Sequence, residues 1–150
     1  MLYMSLNMIK QYSIIAKMQH YDLDAYRYFR DAPSHEKHAL VQTIKNTSLE
    51  LLKKFIECIK YTKKATRLKE ADMIHEELKY LWLLYYELGY LGTKGKDASE
   101  KRKLNDHRFK VINQDLDEIG RMMGGWIKSV NDKDLKTVSS DEMIEKLLNE

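Results

Sequence analysis

One proline, Pro33, and six glycines in 150 residues leave this chain few places to reverse direction, which points to long helices. Strands joined by tight turns need that punctuation and helices do not. The apolar residues agree. Leu40, Ile44, Leu51, Phe55 and Ile59 recur at steps of three, four and seven in a helix that reaches about Lys64. Ile74, Leu78, Leu81, Tyr85 and Leu88 repeat the pattern from about Lys69 to Leu91. Phe109, Ile112, Leu116, Ile119, Met123 and Ile127 do so in a last helix that begins at Ser99 or Leu104 and ends at Val130. A shorter first helix, about Ala16 to Arg30, places Met18, Tyr21, Ala25, Tyr28 and Phe29 on one side. It must stop before Pro33, because a residue preceding proline avoids the α region, and Ser34 then reads as an N-cap. Gly89, Gly92 and Gly95 mark the clearest loop, whereas the turn near Ala65 to Lys69 is only weakly signalled.

The expected fold is therefore all-α: an antiparallel up-down four-helix bundle over residues 14–130. An N-terminal arm of residues 1–13 precedes it, in which Leu2, Tyr3, Met4, Leu6, Met8 and Ile9 fit no single period and suit packing on a neighbour. An acidic tail of residues 131–150 follows, expected to be mobile, with a short amphipathic stretch in Met143, Ile144, Leu147 and Leu148.

A chain of this length can bury a core without disulfides or metal. Cys58 is the only cysteine, which excludes an internal disulfide and a multi-cysteine zinc site and suits a reducing cytoplasm. There is neither a run of apolar residues long enough to span a membrane nor an N-terminal secretion signal, so a cytoplasmic location is expected. The net charge is +3, but the last twenty residues hold three lysines against six acids, so the preceding body is more basic than the total.

Two features exceed what a simple bundle needs. Around Leu81 and Tyr85, the residues Tyr80, Trp82, Leu83, Leu84 and Tyr86 widen the apolar belt beyond the roughly 100° stripe of a bundle helix. That width favours a second buried contact with another subunit, with Trp82, Tyr85 and Tyr86 as packing residues; the plainer reading is an unusually central helix. Gly120, Gly124 and Gly125 each cost about 1 kcal/mol inside a helix, which calls for a compensating close approach to a neighbour, with Trp126 filling the space alongside. A helix end at Gly124 is the plainer alternative.

Signals for catalysis are sparse. Asp72 and His75, three apart, share a helix face as the Glu-x-x-His pairs of metal bundles do, but a di-metal site needs a second such pair and two more carboxylates. His20, His35, His38 and His107 sit among charged neighbours and read as surface residues. No phosphate-binding glycine loop or nucleophile arrangement occurs, so neither a metal nor another cofactor is expected.

Basic residues are more informative. Lys53, Lys60, Lys64 and Arg67 fall at steps of seven, four and three, on one face of a continuous second helix, with Lys54, Lys63 and Lys69 beside them. Lys110, Arg121 and Lys128 align on the last helix, and Arg108 belongs to the cluster at its start. Such stripes can neutralise several phosphates of RNA or DNA, although charged helix faces are often merely solvated.

The segment Asp117 to Ser129, DEIGRMMGGWIKS, resembles the C-terminal signature of the Avd-like four-helix-bundle family. That family includes the accessory protein of diversity-generating retroelements and proteins encoded in intervening sequences of ribosomal RNA genes. Phe109 stands where the family usually has tyrosine. Pro33 to Ile44 resembles its opening of the second helix, with Leu49 to Leu52 following, and Ile14 to Met18 resembles the start of its first helix. Ser34, Lys37 and Val41 depart from the usual lysine, arginine and glycine. The resemblance covers residues 14–130. It implies a homopentameric barrel of bundles without catalysis of its own, which associates with a reverse transcriptase and with template RNA or cDNA in mutagenic copying. Two alternatives stand beside it: an interaction bundle of the ribosomal intervening-sequence type with no retroelement, and a metal-dependent bundle enzyme using Asp72 and His75.

Overall fold

A computed structural model describes the backbone of residues 6–148 and the side chains of residues 13–130. Four helices form it: α1 (Leu6–Phe29), α2 (Leu40–Lys60), α3 (Ala65–Glu87) and α4 (Ala98–Leu148), with single 3-10 turns at Ser34–Glu36 and Tyr90–Gly92. There is no strand among the described residues. Each helix packs on the next in sequence and α4 returns to α1, which closes the ring of an up-down four-helix bundle.

Several boundaries differ from the sequence reading. Helix α1 begins at Leu6 rather than Ala16, since no glycine or proline between Leu6 and Phe29 gives it reason to start late. The idea that the apolar residues of the arm pack on a neighbour concerns side chains outside the described set. Helix α2 stops at Lys60, where Tyr61 turns to extended backbone (φ −103°, ψ 150°), and α3 starts at Ala65. Tyr61 and Thr62, an aromatic and a β-branched residue, lose rotamer freedom in a helix, so the break falls there without glycine or proline. Gly89 ends α3 in the left-handed conformation (φ 77°), its N–H donating to the Tyr86 carbonyl at 2.8 Å. The acidic stretch expected as a tail continues α4 as helix to Leu148; its side chains, including Met143, Ile144, Leu147 and Leu148, lie outside the described set.

Apart from Leu88, which is 49% exposed just past the end of α3, the stripes read from sequence line the core, and their largest members cluster between α1 and α3. Trp82 Nε1 donates to the Tyr21 hydroxyl at 2.8 Å. Tyr21 shares a 2.7 Å hydrogen bond with Ser48 Oγ, and Ser48 donates in turn to the Ile44 carbonyl at 2.8 Å. One polar chain thus ties α1, α2 and α3 together inside an apolar core, with its members satisfied. Phe29 stacks on Trp82 with ring centroids 5.2 Å apart, and Tyr85 meets both rings edge-on. Trp82 and Tyr85 are fully buried, so within the chain they are core residues rather than surface offered to another subunit. The wide belt of α3 is explained by division: Leu78, Trp82 and Tyr85 point inward, Tyr86 stacks on Phe109 of α4, and Tyr80 and Leu83 remain 63% and 43% exposed.

Candidate nucleic-acid interface

The helix break at Tyr61 rearranges the basic stripe. Lys64 and Arg67 do not continue the face of α2 that carries Lys53 and Lys60; they belong to the turn and to the first turn of α3. Tyr61 nevertheless regathers them. Its exposed ring lies under Lys60 Nζ at 5.8 Å and under the Arg67 guanidinium at 4.7 Å. Lys64 Nζ sits 5.6 Å from the ring centre of Trp126 on α4, so the same end of the bundle recruits a third helix. Trp126, expected to fill space beside the glycines, supports a cation there and is itself half-buried.

The acids near this end are already committed. Glu70 accepts a 2.6 Å hydrogen bond from Lys54 Nζ, and that cation holds the Glu70 carboxyl below its usual pKa. Glu57 lies 3.4 Å from Lys54 and 3.8 Å from Arg67. Lys54, read as part of the binding face, is therefore held in an internal ion pair. Arg67 also donates to the Lys63 carbonyl at 2.7 Å, which fixes its guanidinium. Among the described residues Lys53, Lys60, Lys63, Lys64 and Lys69 have no acidic partner, and Lys53, Lys60, Lys63 and Lys69 are exposed. This end of the molecule keeps an excess of ammonium groups without acidic partners beside two aromatic rings.

The cations of α4 separate into different roles. Arg108 is only 16% exposed, donates to Asp31 Oδ2 at 2.9 Å and lies over the Tyr28 ring at 4.8 Å. It fastens α4 to the end of α1 and is not free for a partner. Arg121 is exposed and lines a shallow hollow of about 390 Å³ with Asp72, His75, Glu76, Lys79 and Asp117, where Asp117 pairs with Lys79 at 3.6 Å. Lys110 and Lys128 are exposed and have no acidic partner among the described residues.

The hollow also resolves the Asp72–His75 pair. His75 is buried, and its Nε2 donates to the Leu116 carbonyl at 2.7 Å, a bond between α3 and α4. Gly120 makes room for that imidazole: a Cβ there would lie 3.0 Å from His75 Cε1. Close approach thus holds at Gly120 alone, because a Cβ at Gly124 or Gly125 would meet nothing within 4 Å in the chain.

One group of ligating side chains was missed by sequence reasoning. His20 and Asp24 on α1 and Asp115 on α4 present ligand atoms all within 4.8 Å of one another. They are the only three or more His, Cys, Asp or Glu so gathered among the described residues. The i, i+4 spacing of His20 and Asp24 was visible; the arrival of Asp115 depends on how α1 and α4 pack. Asp115 is titrated well above the ordinary carboxylate range, first because it is buried and then because Asp24 faces it.

A family model described as bAvd-like matches residues 8–130. No curated protein and no solved structure matches the chain. No described helix is long and apolar enough to cross a membrane.

Proposed function

Because the chain belongs to the bAvd-like family, we propose that it is a non-enzymatic accessory protein of a diversity-generating retroelement, working beside the reverse transcriptase and its template RNA or cDNA in the cytoplasm. The observation that carries this reading is the end of the bundle formed by the α2–α3 turn and Trp126. There Lys60, Lys63 and Lys64 stand without acidic partners next to Tyr61 and Trp126. Ammonium groups neutralise backbone phosphates, and an exposed aromatic face can stack an unpaired base, so the chemistry suits single-stranded nucleic acid held with little sequence preference.

Assembly into a homopentameric barrel belongs to the same proposal. Met73, Tyr80 and Leu83 leave apolar surface exposed on α3, the kind of surface that a second copy would cover. Light scattering at moderate salt should give five times the 17.8 kDa chain mass; a monomer would remove the barrel while leaving the bundle intact.

The functional test is copurification. Co-expressed with the reverse transcriptase of such a retroelement, the full chain should be retained with the polymerase and with template RNA, and replacing Lys53, Lys60, Lys63 and Lys64 by glutamine should release it. Retention of neither polymerase nor RNA would contradict the proposal. A gene neighbourhood without reverse transcriptase or template repeat would favour the interaction bundle of the ribosomal intervening-sequence type.

A further inference from the structure

The seam between α1 and α4 contains a site that the accessory role does not use. His20 Nε2 lies 3.5 Å from Asp24 Oδ2 and 3.4 Å from Asp115 Oδ1. Asp115 is only 8% exposed, its Oδ1 points at the imidazole, and its buried Oδ2 has no hydrogen-bond partner. Asp24 is also buried, with Arg27 its nearest cation at 3.8 Å. His20 is 61% exposed, so the cluster opens to solvent on one side. Two carboxylates buried side by side repel each other, and an unpaired buried carboxylate oxygen is costly.

We propose that His20, Asp24 and Asp115 bind one divalent transition-metal ion, zinc fitting best, as a clip between α1 and α4. Zinc takes imidazole nitrogen and carboxylate oxygen at about 2.0–2.2 Å in a tetrahedron, so its ligand atoms stand roughly 3.3–3.5 Å apart. The two separations to His20 Nε2 already match that edge. Two carboxylates and a neutral imidazole balance the charge of the ion, and the solvent side supplies the fourth position for water. Of the neighbouring charges, Lys17 and Glu118 pair with each other at 2.6 Å, and Arg27 lies 3.8 Å from Asp24 Oδ1, while Asp24 Oδ2 is the oxygen that faces His20.

Calorimetry of the chelator-treated full chain with zinc chloride at pH 7.5 should show one ion per chain, with proton release and a raised melting temperature. His20→Ala and Asp115→Asn should each weaken binding at least tenfold. His20 is exposed, so its replacement leaves the fold intact, and Asp115→Asn keeps the side-chain shape while relieving the repulsion with Asp24. Asp72→Ala, at the other candidate pair, should leave zinc affinity unchanged. Absence of zinc uptake, uptake indifferent to both ligand variants, or loss of uptake in Asp72→Ala would each overturn the assignment.

Discussion

The α2–α3 end and the α1–α4 seam place charge in opposite ways. At the first, lysines outnumber the acids beside them and remain in water, where self-repulsion is screened and costs little. At the seam, carboxylates outnumber the cations and are buried, where each must share a proton or hold a cation. Exposed excess charge is thus available to a partner, whereas buried excess charge must be answered within the subunit. Arg108 falls on the second side of that division, although its position in the sequence resembles the first.

Replacing Lys53, Lys60, Lys63 and Lys64 by glutamine should lower affinity for single-stranded RNA by about tenfold or more at low salt while the melting temperature falls only slightly, since none of the four has an acidic partner and the ring contacts of Lys60 and Lys64 are worth about 0.5–1 kcal/mol each. Unchanged affinity would place the interface elsewhere. Arg108→Gln should do the reverse. Loss of a charge-assisted hydrogen bond in a partly buried pair should cost about 1–3 kcal/mol in denaturant unfolding, with RNA affinity unaltered. If RNA affinity falls and stability does not, Arg108 is a contact after all.

At the seam, the pKa of Asp115 is pushed up to about 8. The sign is that of a raised folded-state value: the native state binds the proton more tightly than the unfolded chain, so this stability is complete below the ordinary aspartate range. It is lost as pH rises toward about 8. In chelator, Asp115→Asn should therefore be stabilising relative to the parent at pH 8.5 and lose that advantage at pH 5. A constant difference between the two would mean that Asp115 does not titrate in this window. The smallest effect concerns the glycines. Gly124→Ala, facing open space, should gain about 1 kcal/mol, whereas Gly120→Ala should lose that gain against the His75 ring, which is held in place by Leu116. Equal effects at both positions would deny the close contact between α3 and α4.

Most of the bundle was legible because helical periodicity is a local property: Ile44, Leu51, Phe55, Leu78, Ile112, Leu116, Ile119 and Met123 were assigned to the core from spacing alone and are buried there. The break at Tyr61 was misplaced because backbone preferences of tyrosine and threonine are weaker punctuation than glycine or proline. Whether Trp82 packs within the subunit or between subunits is not legible in belt width, which does not say which ring turns inward; that depends on the Tyr21 hydroxyl, itself held by Ser48, meeting its indole. The basic residues were found, but their freedom was not, since pairing of Lys54 with Glu70 and of Arg108 with Asp31 joins positions on different helices. Asp115 was passed over for the same reason.

The most direct test measures equilibrium binding of a single-stranded RNA to the full chain from low to physiological salt, with the four-lysine glutamine variant in parallel. The logarithm of affinity should fall linearly with the logarithm of salt concentration, and the variant should have a slope shallower by about 3, at roughly 0.7 per lost phosphate contact. Binding that is flat across salt, or a variant whose slope equals that of the parent, would contradict a phosphate-binding end at Lys53, Lys60, Lys63 and Lys64.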